Sequence, residues 1–387
     1  MSVTAPKGFV AAGVHAGIRR DRKDVALLLA SSGATGAAMW TQNRVQAAPV
    51  VVSKANLEVS QPRAVVVNSG VANAATGAQG IADATASAAH VAQALGLVPA
   101  EVIVLSTGVI GAPLPLEQVC TGIDLAAAAL SADGGADAAE AILTTDTHAK
   151  EAVFHASGFT VGGMSKGSGM IHPNLATMLA VVTTDYPLEP GEAIDFLRPA
   201  VDASFNSISV DGECSTNDAV VLLASGESSV ERTPATDAEF ALAIRTVCAD
   251  LAQQIVADGE GATLLAEIAV SGAASAPEAR AIAQRIATSP LVKTALFGRD
   301  ANWGRVLAAA GSAPFNGGYA QLDPERVSLS YNGTPVLVGG APQNTEPPVE
   351  GGVCTIELDL GLGDGSAGYL TSDLTYDYVR INAEYRS

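Results

Sequence analysis

Lys166-Gly167-Ser168-Gly169-Met170-Ile171-His172-Pro173-Asn174-Leu175-Ala176-Thr177-Met178-Leu179 is the stretch on which the reading of this chain turns. A glycine-rich approach ends in a threonine, and an apolar run from Ala176 to Thr183 reads as a strand. Two readings are open at this point. The plain one is a surface loop feeding a core strand. The chemical one is an N-terminal-nucleophile site. Cleaving Ala176–Thr177 would leave Thr177 with a hydroxyl nucleophile and its own α-amine as the nearby base. An α-amine has a reference pKa of about 8, so modest desolvation makes it a competent base at neutral pH. Composition alone does not choose between them.

Outward from that stretch, the chain alternates strands and helices irregularly. On the N-terminal side, Val25 to Leu29, Ala37 to Trp40, Val50 to Val52 and Ala64 to Val67 read as short strands between glycine and polar turns. The alanine-rich Ala82 to Leu95 reads as a helix, followed by the strand Val102 to Leu105. Leu125 to Leu130 and Ala136 to Ile142 read as helical, and the glycine-rich Gly162 to Met170 interrupts the pattern. On the C-terminal side, Ile194 to Ala203, Ala238 to Ala257 and Pro277 to Thr288 read as helices, the last with proline in its first turn. Strands are expected around Val327 to Tyr331, Val353 to Leu358 and Tyr376 to Ile381, with a loop from Pro342 to Gly352. Adjacent strands at both ends favour a mixed α/β (α+β) fold with antiparallel pairing over a doubly wound sheet.

Composition narrows the function classes. The 387 residues carry 40 acidic and 21 basic side chains, a formal net charge of −19. Nucleic acid and anionic membranes demand a basic footprint, so neither is expected as the main partner. Hydrophobic residues make up 48% of the chain, enough for a substantial core. No uninterrupted apolar run reaches the roughly 20 residues of a membrane-spanning helix. The N-terminus lacks a basic segment followed by an apolar core. Cys120, Cys214, Cys248 and Cys354 are far apart and form no CxxC pair, which leaves a cytoplasmic, reducing setting as the expectation.

Several familiar motifs fail on spacing. Lys166 follows Ser165 and precedes Gly167, so the glycine-rich passage is not a phosphate loop. Asn68 to Gly80 does not give Gly-x-Gly-x-x-Gly after its strand. No histidine pair has helical i, i+4 spacing, and no metal is called for. Gly163-Met164-Ser165-Lys166-Gly167 formally matches a hydrolase elbow, but Gly167, Gly169 and Pro173 oppose the immediate helix that an elbow requires.

The run from Lys166 to Leu179 resembles the processing site of the ornithine acetyltransferase family, the glutamate N-acetyltransferases of arginine biosynthesis. The resemblance spans nearly the whole chain. It includes Asn68-Ser69-Gly70, Ala72-Asn73-Ala74, Ser106-Thr107-Gly108-Val109-Ile110-Gly111 and Thr144-Thr145-Asp146-Thr147. It continues through Ser215-Thr216-Asn217-Asp218, Asp258-Gly259-Glu260-Gly261-Ala262-Thr263 and Ser289-Pro290-Leu291-Val292-Lys293-Thr294-Ala295. Asn302-Trp303-Gly304-Arg305 and Asp373 to Asn382 complete it. Each motif is weak alone; in this order they are specific.

The resemblance implies a sandwich of mixed sheets and packed helices, N-terminal-nucleophile-like. It also implies a precursor that cuts itself between Ala176 and Thr177. The resulting chains, 1–176 and 177–387, stay associated in one intertwined fold, with two copies of each. Thr177 becomes the nucleophile, and the Thr107 hydroxyl with the Gly108 N–H form an oxyanion hole. Substrate contacts are implied at Thr144, Lys166, Thr177, Glu260, Asn382 and Ser387. Lys166 suits a carboxylate, and Glu260 suits the distal ammonium of ornithine. The implied reaction passes an acetyl group from N2-acetyl-L-ornithine to L-glutamate through acetyl-threonine, with no metal or organic cofactor. Acetyl-CoA is a further candidate donor. Two alternatives stand beside it: a related N-terminal-nucleophile aminopeptidase or amidase, which passes the acyl group to water, and an unprocessed amino-acid-binding protein.

Overall fold

The computed structural model describes residues 3–172 and 178–384. Thr177, Ala176 and Ser387 therefore lie outside the described residues. The chain divides into two compact units: Met1–Asn206 with Glu213–Ile255, and Ser207–Gly212 with Val256–Tyr385.

The first unit is a four-layer stack built on two sheets. One sheet has the order Phe9–Val14, Val25–Ala30, Ala64–Val71, Val102–Val109, with the last two strands parallel. The other runs Thr35–Trp40, Ala219–Ala224, Leu179–Thr184, Thr160–Lys166, Lys150–His155. Side chains alternate across each strand, so both faces of a strand buried on both sides must be apolar. Val65, Val67, Ile103 and Leu105 face inward and share a core with Met164, Leu179, Val181 and Val221 of the second sheet. Their neighbours Val66, Val102 and Val104 pack outward on Val91, Ile123 and Ala126 of the helices Gly77–Leu95 and Leu116–Ala129.

The outer face of the second sheet is covered by the helix Pro234–Ala257. A Cβ at Gly163 would sit 2.9 Å from Leu251 and 3.0 Å from Val247, so glycine here permits close helix–sheet approach. That helix has the length and mean composition of a membrane span. Its buried stripe of Phe240, Ile244, Val247 and Leu251 places it in this layer instead.

The second unit has one seven-stranded mixed sheet. Leu265–Ala273 is central, parallel to Val353–Asp359 and antiparallel to Gly365–Ser372. Ile282 and Ile286 of the helix Ala276–Ala287 cover one face, against Ile268, Leu329, Ile356 and Tyr369. The mixed α/β class and the antiparallel pairing at both ends are thus present.

Three local expectations are corrected. Val50 to Val52 lies in a helix, Ala48–Val59, not a strand. Pro49 fits its first turn, and Ser53 both donates to the Val104 carbonyl and accepts from the Val104 N–H, at 2.8 Å each. That contact covers an edge strand, and tertiary context outweighs the β preference of three valines. Gly162 to Lys166 is not an interruption but part of the strand Thr160–Lys166. Tyr376 to Ile381 is helical, within Tyr376–Glu384, because the Thr375 hydroxyl accepts from the Tyr378 N–H and caps the first turn.

Candidate active site

Thr107 and Gly108 end the edge strand Val102–Val109, beside Ser69 and Gly70 of its parallel neighbour. The register leaves no room for a side chain at position 108. Gly108 has φ +129°, and a Cβ there would lie 2.3 Å from the carbonyl carbon of Gly70 and 2.4 Å from its oxygen. Gly70, with φ +106°, lies against Arg19, whose Cγ would be 3.0 Å from an added Cβ. Arg19 donates to the carbonyls of Leu143 (2.5 Å) and Thr144 (3.1 Å). The strand ends and the loop that carries Thr144 are therefore tied together.

Side-chain hydrogen bonds hold this backbone rigidly. Asn217 donates to the carbonyls of Ala72 (2.6 Å) and Ser106 (2.8 Å), bridging the two strand ends. The Ser106 hydroxyl donates to Asn68 Oδ1 at 2.5 Å, and Asn68 donates to the Val71 carbonyl at 2.9 Å. Asn73 and Ala75 both have positive φ, +49° and +56°, in the turn that follows. Strained non-glycine backbone of this kind persists only where its surroundings over-determine it. Thr107 itself is buried.

Thr144 and Lys166 meet through Asp146. Asp146 Oδ2 accepts from the Thr144 N–H at 2.9 Å, while Oδ1 accepts from Lys150 at 2.7 Å and the Gly167 N–H at 2.6 Å. The Lys166 ammonium lies 4.0 Å from Oδ2. Burial alone would raise the Asp146 pKa, but the Lys166 and Lys150 charges and the hydrogen bonds hold it well below the usual carboxylate range. The Thr145 and Ser168 hydroxyls join the same two segments at 2.7 Å.

Asp218 is the functional candidate that sequence reasoning quoted without giving it a role. Its Oδ1 accepts from the Met178 N–H at 3.1 Å, so it fixes the peptide that follows position 177. Its Oδ2 has no hydrogen-bond partner among the described residues. Burial pushes its pKa well up, with only partial opposition from the Met178 amide and the Lys166 charge. The sequence signal was there: Asp218 closes Ser215-Thr216-Asn217-Asp218 just before a fully buried strand.

In the second unit, Glu260 and Asn382 come together: Asn382 Nδ2 donates to Glu260 Oε2 at 2.7 Å. The turn that carries Glu260 needs its glycine. Gly261 has φ +67°, and a Cβ would meet the Tyr378 amide nitrogen at 2.6 Å. The Thr375 hydroxyl donates to the Gly261 carbonyl at 2.8 Å, fastening the turn to the start of the terminal helix. Glu260 is thus half-buried and held, not a loose surface carboxylate. Among the described residues, no group of three His, Cys, Asp or Glu side chains is placed to hold a metal ion. Ser165, of the apparent elbow, is buried on its strand, and no helix follows it directly.

The chain matches the ArgJ family over residues 10–387. It is 48% identical over 400 residues to the arginine biosynthesis bifunctional protein ArgJ of Symbiobacterium thermophilum, covering 100% of this chain and 98% of that protein. The protein of the same name from Thermobifida fusca is 45% identical over 389 residues, with both chains fully covered. Among solved structures, ArgJ of Bacillus halodurans is 38% identical, covering 52% of this chain and 97% of that one, with a TM-score of 0.49. Ornithine acetyltransferase of Mycobacterium tuberculosis, complexed with ornithine, is 42% identical, covering 44% and 94%, with a TM-score of 0.43.

Proposed function

Because the chain belongs to the ArgJ family, we propose that it moves an acetyl group from N2-acetyl-L-ornithine to L-glutamate through an acetyl ester on Thr177. It is an acyltransferase of arginine biosynthesis. The observation that carries the finer reading is the rigid strand end at Thr107 and Gly108, where a backbone N–H follows a hydroxyl in a frame closed by Asn217. Donors fixed before the reaction starts are what an oxyanion requires, and each is worth about 3 kcal/mol in the transition state.

Chemically, the Thr177 hydroxyl first attacks the Ala176 carbonyl; the peptide nitrogen leaves as a new α-amine, and water hydrolyses the ester. The geometry that supports retention of both products is the pairing of Thr160–Lys166 with Leu179–Thr184 across the cut, inside one sheet. The mature Thr177 hydroxyl then attacks the acetyl carbonyl of N-acetylornithine, with Thr107 and Gly108 stabilising the oxyanion. Ornithine departs with the proton on its α-amine. The α-amine of glutamate attacks the acetyl-threonine, and Thr177 is regenerated. Lys166 takes the α-carboxylate common to both amino acids, and Glu260 the distal ammonium of ornithine. Thr144, Asn382 and Ser387 complete the substrate contacts, acetyl-CoA serves as a further donor candidate, and the active assembly holds two of each chain. The expected setting of the reaction is the cytoplasm, the reading suggested by four widely spaced cysteines without a CxxC pair.

Denaturing mass spectrometry of active protein tests this directly. Two chains that divide at 176/177, with one acetyl group on the second after brief incubation with N-acetylornithine, are expected. An intact chain in fully active protein would overturn it.

A further inference from the structure

We propose that Asp373 is a specificity-determining positioning residue: it locks the connection from Asp258 to Leu264, so that Glu260 presents its carboxylate to the distal ammonium of the donor in one fixed place. The inference rests on the reading of Glu260 as the ammonium contact, and every residue it uses lies in the second unit.

The connection follows the helix Pro234–Ala257, precedes the strand Leu265–Ala273 and belongs to neither. Within it, the Ala262 N–H donates to the Gly259 carbonyl at 2.8 Å, which turns the chain tightly around Glu260. That bond sets the local shape of the turn but not the direction in which it points. Direction needs partners from outside the turn.

Three donors converge on Asp373. Its Oδ1 accepts from the Thr263 N–H at 2.8 Å and the Leu264 N–H at 3.2 Å, and its Oδ2 accepts from the Thr263 hydroxyl at 2.5 Å. An ionised carboxylate has acceptors only, so three donors arriving together suit it. Arg299 fixes the sense of the last bond. It donates to the same hydroxyl at 3.1 Å, and a guanidinium cannot accept, so the Thr263 proton goes to Asp373. Asp373 is itself buried, where such bonds compete little with water.

Asp373 is in turn gripped on both sides by one residue. The Lys293 ammonium donates to the Ser372 carbonyl just before it, and the Lys293 carbonyl accepts from the Leu374 N–H at 3.1 Å just after it. Two residues on, the Thr375 hydroxyl donates to the Gly261 carbonyl at 2.8 Å. The segment 373–375 therefore ties the Glu260 turn to the start of the helix Tyr376–Glu384, whose Asn382 donates to Glu260 Oε2 at 2.7 Å. A carboxylate gains a charge-assisted bond from an ammonium only at the right distance and direction. Released from Asp373, Glu260 keeps its charge and loses its place.

The test compares N-acetyl-L-ornithine with N-acetyl-L-norvaline, which has the same carbon chain and no distal amine. The ratio of their kcat/KM values measures discrimination and cancels any loss of active protein. Wild type is expected to favour N-acetylornithine. In the full chain, Asp373→Ala should lower the ratio about tenfold, the scale of one charge-assisted contact made loose. Its kcat/KM for N-acetylnorvaline should stay within about threefold of wild type. Asp373→Asn keeps an acceptor for both amides and should restore most of the ratio. In a Glu260→Gln background, Asp373→Ala should change the ratio by less than about twofold, because Asp373 acts through Glu260. An Asp373→Ala ratio equal to that of wild type overturns the inference, provided Glu260→Gln alone still loses discrimination. Parallel losses for both donors also overturn it, since they mark plain structural damage. Should Asp373→Ala fail to fold, Thr263→Val at its exposed position decides: it deletes one of the three bonds and should lower the ratio about threefold, and an unchanged ratio overturns the inference. Glu260→Gln with wild-type discrimination, or wild-type protein with no preference between the donors, refutes the ammonium reading itself and the inference with it.

Discussion

Gly108→Ala is the most discriminating change at the strand end. The added methyl would sit 2.3 Å from Gly70 C, 2.4 Å from Gly70 O and 2.7 Å from Val71 N. All three are backbone atoms of the parallel neighbour, so no flexible side chain can yield. Ordinary contact begins near 3.4 Å, and relief requires the strands to part locally by about 1 Å. That shift moves the Gly108 N–H off its target, and a misplacement of about 1 Å at a reacting centre is worth about a hundredfold in rate. The φ of +129° adds backbone strain of about 1 to 2 kcal/mol. Acetyl transfer is therefore expected to fall at least a hundredfold, measured by ornithine release, with the secondary structure retained by circular dichroism. Gly111→Ala supplies the control. Gly111 has φ +80° but open space around its Cβ, so it should lose about 1 kcal/mol of stability and little activity. Wild-type turnover in Gly108→Ala, or equal losses in both variants, would refute the oxyanion assignment.

Two further outcomes are expected. Glu260→Gln keeps an acceptor for Asn382 and deletes the charge, so it should raise KM for N-acetylornithine while discharge of the acetyl-enzyme by glutamate changes less. Single-turnover rates for the two half-reactions check this, and identical behaviour of variant and wild type would retire the ammonium role. Lys293 is buried, donating to Thr371 Oγ1 at 2.9 Å and to the Ser372 carbonyl, and burial pulls its pKa down to about 7 against the charges of Asp373 and Asp211. Between pH 7 and its ordinary 10.5 the unfolded chain holds a proton that the folded chain lacks, so this group makes stability rise with pH, by up to about 1.4 kcal/mol per unit. Denaturant unfolding across that window should show Lys293→Met losing the rise; parallel curves would remove Lys293 from the account.

The strands easiest to read in the sequence are those that open on an unbroken apolar run. Val25–Ala30 is apolar throughout, and Ala64–Val71 and Val102–Val109 each begin with four apolar residues, as strands covered on both faces require. What misleads shares a different physics. The Gly162–Gly163 pair looks flexible in one dimension, yet Gly163 is small because Val247 and Leu251 of the helix Pro234–Ala257 press on it, from 84 and 88 positions away in sequence. Likewise, the Tyr376 to Ile381 alternation resembles a strand until the Thr375 cap is counted. Phe9–Val14 and Lys150–His155 are not among the expected strands: small residues fill the first, and charged or histidine side chains lie at three of the six positions of the second.

The candidate site divides along the same line. Thr107, Gly108, Thr144, Lys166, Glu260 and Asn382 are candidates through the family resemblance that the order of the motifs carries. Their supports are not. Nothing local in Thr144-Thr145-Asp146-Thr147 says that Asp146 will gather the Gly167 amide and two lysines, because those partners arrive from separate strands. Nor does Asn217 declare that it will bridge the carbonyls of Ala72 and Ser106, residues 145 and 111 positions away. A residue that touches substrate is constrained by chemistry and leaves a mark in the sequence. A residue that holds another in place is constrained by geometry, and its role becomes readable only when the distances are known. Asp146, which accepts from the Thr144 and Gly167 amides, and Asp218, which accepts from the Met178 amide, belong to that second kind.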